Sequence, residues 1–153
     1  MIFRTMIRLF LYIMFLIPLY GCSNVDSDLL ESIHIYYRHE QEKSWDKTYE
    51  MRTEAFRSST EFEYYQKTMA EDYSGWELLG YEIKSIDSNV NEYILSIVFD
   101  EKPSESYKKS HFVPDDINRL RIIDESIWKK EYGEWKCVSA GHRYVLSLNS
   151  RIE

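Results

Sequence analysis

Cysteine, proline and glycine are all scarce, at 2, 3 and 5 residues in a chain of 153. So few breakers exclude a collagen-like or low-complexity chain, and two cysteines cannot staple a disulfide scaffold. The signatures of chemistry that can be read directly from sequence are missing too. There is no Gly-x-Ser-x-Gly elbow, no glycine-rich phosphate loop and no Cys-x-x-Cys, and His39-Glu40 lacks the second histidine of a His-Glu-x-x-His zinc helix. His34 and His39, five apart, point about 140° away from each other on a helix and cannot share a metal. Asp100, Glu101, Asp115 and Asp116 are oxygen ligands of the kind Ca²⁺ takes, but without the spacing of a binding loop they read as a solvated acidic segment. No metal and no cofactor is expected. Excess positive charge is also lacking. Arg4 and Arg8 are the only charged side chains before residue 22, and the remainder carries 17 basic groups against 26 acidic, a net −9. A body that acidic excludes non-specific nucleic-acid binding, which depends on clustered Lys and Arg displacing counterions.

What the chain does have begins at its amino terminus. The two arginines precede an apolar run over 9–19, then Tyr20-Gly21-Cys22 and a polar stretch, in the charged, apolar and small-residue order of a secretory signal peptide. The run falls short of the ~18–20 residues a permanent bilayer span needs, and Pro18 breaks its end. Ending in Leu19-Tyr20-Gly21-Cys22, the segment resembles the lipobox of bacterial lipoproteins, with Tyr20 departing from the small residue favoured there. The resemblance implies that 1–21 is removed, that Cys22 is lipidated by a diacylglycerol thioether and its new amino group acylated (palmitate being the usual chain), and that 22–27 is a linker. The partner so implied is the lipid bilayer of the cell envelope, facing periplasm or exterior; Ser23, in place of the Asp of an inner-membrane retention signal, favours the outer membrane where there is one. Cysteine counting agrees: with Cys22 lipidated, Cys137 stands alone in an apolar strand, as a small buried hydrophobe.

Residues 28–153 have room for one domain. Asp28 and Glu31 have capping-box form and open a helix to about Lys43, with Leu29, Leu30, Ile33, Tyr36 and Tyr37 at helical spacing. Ser44 caps a second, with Trp45, Thr48, Tyr49, Arg52, Ala55 and Phe56 inward; Thr60 and Glu63 open a third, with Phe62, Tyr65, Gln66 and Met69 on one face, stopped by Gly75. From Trp76 the period becomes two, with Leu79, Tyr81 and Ile83 inward; a central strand over 92–100, a polar loop over 101–118 and strands over 119–132 and 135–146 follow. Three helices followed by four antiparallel strands predict an α+β fold.

That order, the helix over 45–56 and the closing hairpin Trp128-Lys129-Lys130-Glu131-Tyr132-Gly133-Glu134-Trp135 resemble the nuclear transport factor 2-like cone shared with ketosteroid isomerase; a cystatin-like sheet is the alternative. The resemblance implies a pocket, and Tyr36, Tyr49, Arg52, Tyr65, Asp124 and His142 are the residue types that would line it. No residue matches a catalytic motif of the family. Arg52 stands out because it falls on an apolar stripe, where a guanidinium must meet a carboxylate (Glu82, Asp124 or Glu125), a carbonyl or an anion. Two functions follow: a non-catalytic lipoprotein binding a partner protein or small ligand, or a pocket enzyme of isomerase or dehydratase type using Asp or His with Tyr.

Overall fold

A computed structural model describes residues 25–140 and 144–148 of the chain. Helix α1, Ser27–Gln41, is capped by Asp26, whose carboxylate accepts from the Asp28 amide at 3.0 Å. The cap thus lies two residues before the expected one, and Asp28 sits in the first turn, where the helix dipole favours negative charge. Leu29, Ile33, Tyr36, Tyr37 and Glu40 form the buried stripe.

The expected second helix is two. α2, Trp45–Glu50, and α3, Glu54–Ser59, are separated where the chain extends alongside a strand: the Cys137 amide donates to the Met51 carbonyl at 2.9 Å and the Thr53 amide to the Cys137 carbonyl at 3.2 Å. Thr53 then caps α3, accepting from the Phe56 amide at 3.2 Å. The new phase exposes Ala55 while Arg52 and Thr53 stay buried. In α4, Phe62–Asp72, Tyr65 is the buried residue and Gln66 is exposed. The helix ends before Gly75, whose lack of a side chain makes room for an aromatic ring, since a Cβ there would lie 2.6 Å from Tyr107.

The sheet is antiparallel throughout: β1 Trp76–Asn89, β2 Glu92–Pro103, β3 Leu120–Glu131 and β4 Glu134–Ala140 run in that order, and β5 Tyr144–Leu148 pairs with β3. The strand expected over 135–146 is therefore divided. The far end of β3 pairs with β4, closed by a two-residue turn with Tyr132 and Gly133 at φ 53° and 88°, and its near end pairs with β5. As expected, β2 is interior, between β1 and β3. Its Leu95, Ile97 and Phe99 face the helices, while Val98 and Asp100 are buried on the other side. A register shift between Leu78 and Gly80 buries Leu78 and turns Leu79 outward, reversing the expected alternation at that end.

The segment 101–118 is not a simple loop. β2 extends to Pro103, and α5, Glu105–His111, follows, capped by Ser104. Arg119 clasps Asp100 through two nitrogens, and buried Lys108 pairs with Glu105 at 3.1 Å and donates to the Asp115 carbonyl at 3.4 Å. The carboxylates of Asp100 and Glu105 thus help to order the segment. No helix among the described residues is long and apolar enough to cross a membrane.

Both hairpin tryptophans face the helices. Trp128 is fully buried, edge-on to Tyr36 at 5.5 Å, and Trp135 lies by the turn against Tyr93 at 5.3 Å. Trp128→Ala is expected to cost ~3–5 kcal/mol, a large share of a small domain's stability, and Trp135→Ala less; urea denaturation of the two variants measures both.

Candidate functional site

Interior polar side chains converge between the helices and β4. α1 contributes Tyr36 and Glu40, α2 Thr48, the extended Met51–Thr53 segment Arg52, α4 Tyr65, and β4 Cys137. Three of the six predicted pocket residues, Tyr36, Arg52 and Tyr65, thereby share one neighbourhood. Arg52 donates to the Val138 carbonyl at 3.0 Å and to the Tyr36 hydroxyl at 3.4 Å, and its guanidinium lies 4.0 Å from the centre of the Phe56 ring. Of the three partners the sequence left open, the carbonyl is the one found, joined by a phenol and a ring face, and the favoured ion pair is absent among the described contacts of Arg52. Glu82 is instead on the surface with Lys84 and Arg121, at 2.6 and 3.3 Å. The carbonyl, the phenol and the ring face stabilise the buried cation, while its Nε has no hydrogen-bond partner among the described residues.

Tyr65 donates to the Thr48 hydroxyl at 3.0 Å, which donates to the Trp45 carbonyl at 3.1 Å. Tyr49 is half-buried and spends its hydroxyl on the Thr60 carbonyl at 2.7 Å, holding α2 to the α3–α4 connection. Asp124 is buried on the helix-facing side of β3, opposite Ile97, and its charge adds to burial in raising the pKa of Tyr37 and Cys137. His142 lies outside the described residues. Glu40, buried and accepting from Tyr73 at 2.7 Å, was missed in the sequence, although its place four residues after Tyr36 put it on the apolar stripe.

Burial dominates the electrostatics. It pushes Tyr36 and Tyr37 well above the ordinary tyrosine value, with the Glu40 charge adding to it, and it raises Tyr65 against the Thr48 hydrogen bond. The Cys137 thiol is pushed up to about 12, burial outweighing the nearby Arg52 charge. At neutral pH these groups are therefore neutral hydrogen-bonding partners, neither nucleophiles nor bases.

The open features are on the surface. Two clefts of about 650 and 440 Å³ flank Trp76. The larger runs between the end of α4 and α5, where Trp76, Tyr107 and His111 form a ladder of rings with centroids 4.2 and 4.0 Å apart. Sequence reasoning passed over this site because it read 101–118 as a loop, hiding the one-turn spacing of Tyr107 and His111.

No family model and no curated protein matches the chain. It is similar to the solution structure of a SEC-C motif containing protein from Rhodopseudomonas palustris, with a TM-score of 0.55 over 71% of this chain and 73% of that one, at 10% identity. The likeness is one of fold. It supports helices leaning on an antiparallel sheet and carries no activity with it.

Arg52→Met leaves a carbonyl and a phenol short of a donor, without stranding an opposite charge. The expected loss is ~1–3 kcal/mol, below the cost of breaking a buried ion pair, and is read from the shift in denaturation midpoint. The thiol and phenols predict the response to alkali. Their folded pKa values are raised, so the stability they contribute is complete below the unfolded values and is lost as pH rises through them. For Cys137 the window runs from its ordinary 9.0 to about 12. Native Cys137 should resist a thiol reagent below pH 9.0, and the tyrosines should ionise together as the domain unfolds; gradual ionisation of the folded domain contradicts this.

Proposed function

We propose that this chain is a lipid-anchored bacterial envelope lipoprotein whose single domain, a nuclear transport factor 2-like cone, is a non-catalytic module binding a partner protein or small ligand at its surface. The observation that carries the binding reading is the disposition of polar groups. The interior hydroxyls of Tyr36, Tyr49 and Tyr65 are engaged with Arg52, a backbone carbonyl and Thr48, and Cys137 is protonated and buried. Aromatic rings are instead offered along the open clefts beside Trp76, whose rims carry polar side chains held in local hydrogen bonds and ion pairs, as Ser110 is to the Tyr107 carbonyl and Lys102 to Glu77. Such a cleft suits recognition, since aromatic faces supply contact area at small entropic cost and the rim supplies hydrogen bonds. A pocket enzyme would need a desolvated base within reach of two phenols, and these three phenols are already committed to structural partners.

The anchor rests on Leu19-Tyr20-Gly21-Cys22 and on the single cysteine left in the domain. Several acyl chains hold a protein on a membrane stably, whereas one does so reversibly. The cone reading draws on the helices-then-sheet order and the Gly133 hairpin with Trp135 packed beneath its turn.

Cys22→Ser is expected to move the protein from the membrane to the soluble fraction. Intact-mass measurement of the wild-type membrane form should show residues 1–21 absent and acyl mass present; retention of those residues without acyl mass would sink the anchor.

A further inference from the structure

One end of the domain gathers features that folding does not require. Val90, at the tip of the β1–β2 hairpin, is 90% exposed, and Tyr132, at the tip of the β3–β4 hairpin, is 92% exposed. The tips are neighbours, since Glu92 pairs with Lys129 across β2 and β3 and the second turn follows three residues later. Tyr132 also occupies a left-handed position, φ 53°, which a turn of this kind normally gives to Asn, Asp or Gly. Its hydroxyl is held by Glu54 at 2.8 Å, which fixes the exposed ring in place.

The chain enters the domain at this same end. Asp26 takes a salt bridge from Lys130 at 3.3 Å, and Val25 packs against the core. Cys22 precedes Val25 by three residues. Even fully extended, that stretch reaches only about 10 Å. A domain tethered so closely cannot turn freely above the bilayer. The tether selects which end faces the lipid, and that end displays a tyrosine and a valine.

We propose that the hairpin-tip end lies against the bilayer holding the protein's own anchor, with Tyr132 and Val90 seated among the headgroups. The orientation rests on the lipid-anchored reading above. Tyrosine suits that depth, its ring being apolar and its hydroxyl wet. The attraction is not electrostatic, because Lys129, Lys130 and Lys136 are each paired with a carboxylate at 2.8, 3.3 and 2.7 Å and the body carries a net negative charge. A zwitterionic surface therefore suffices and added salt changes little. The fourteen residues of β1 separate this end from Trp76, which at ~3.3 Å per residue places the aromatic clefts about 40 Å from the tips. Docked this way, the protein presents those clefts away from the membrane.

The test uses the full chain as isolated from membranes, reconstituted in phosphatidylcholine vesicles containing doxyl-labelled lipid. Val90→Cys, Tyr132→Cys and, at the opposite end, Phe112→Cys each receive an environment-sensitive fluorophore, with the unsubstituted chain as blank. Cys137 is buried and takes no label. The expected result is loss of fluorescence at 90 and 132 and none at 112. Equal quenching at all three sites, none at 90 and 132, or failure of the chain to float with vesicles overturns the proposal. So does shielding of 90 and 132 from aqueous iodide without quenching by lipid, which means that a protein covers this end. Intact mass of the same preparation shows whether acylated Cys22 or the uncleaved 9–19 run holds the chain. Failure of the lipidation reading is thereby separated from failure of the contact surface.

Discussion

The two backbone hydrogen bonds joining Met51 and Thr53 to Cys137 bind the helical half of the molecule to the sheet. The outer edge of β4 would otherwise present unpaired amides and carbonyls, and the extended segment covers it at Cys137. Breaking the helix there also brings Arg52 over β4, where it reaches the Val138 carbonyl, the Tyr36 hydroxyl and the Phe56 face together. α1, α3 and β4 thus meet at one side chain. Once this contact is made, Tyr36 lies against Trp128, and Thr48 is positioned to receive Tyr65 from α4.

That arrangement determines what the interior can do. Polar atoms far from water are stable only when paired, and pairing consumes the groups that chemistry would need. The phenols and the thiol, held neutral by burial, act as struts. Groups at the rim have no such obligation, and the rings of Trp76, Tyr107 and His111 remain available along an open cleft. A fold that spends its interior polar groups on structure keeps its open clefts at the surface.

Much of the fold was legible. α1 read clearly because its apolar residues recur over four turns; β2 read as interior because it is apolar on both faces; the closing hairpin read from Gly133 between two alternating strands. The candidate residues read less well. Tyr36, Arg52 and Tyr65 were correctly placed inward by periodicity, but of the carboxylate, carbonyl or anion open to Arg52 sequence reasoning favoured the carboxylate, and the structure supplies the carbonyl. Its actual partners, a carbonyl and two aromatic residues, give no signal in a list of charges.

By itself the sequence determined the class, the order of helices and strands, and which faces are apolar, because these depend on the repeat of side chains along one segment. It also carries the Leu19-Tyr20-Gly21-Cys22 pattern, which needs no fold to be read. Only the tertiary structure decided that the second helix breaks at Arg52, that Leu78 rather than Leu79 turns inward, that Glu105–His111 within 101–118 winds into a helix beside Trp76, and that both hairpin tips lie beside the start of the domain. Each of these depends on a partner far away in the chain: an edge strand needing hydrogen bonds, a register shift against β2, a glycine leaving space for a ring. Periodicity within one segment does not record what stands opposite it, and at those positions the opposite partner contributes more than local preference does.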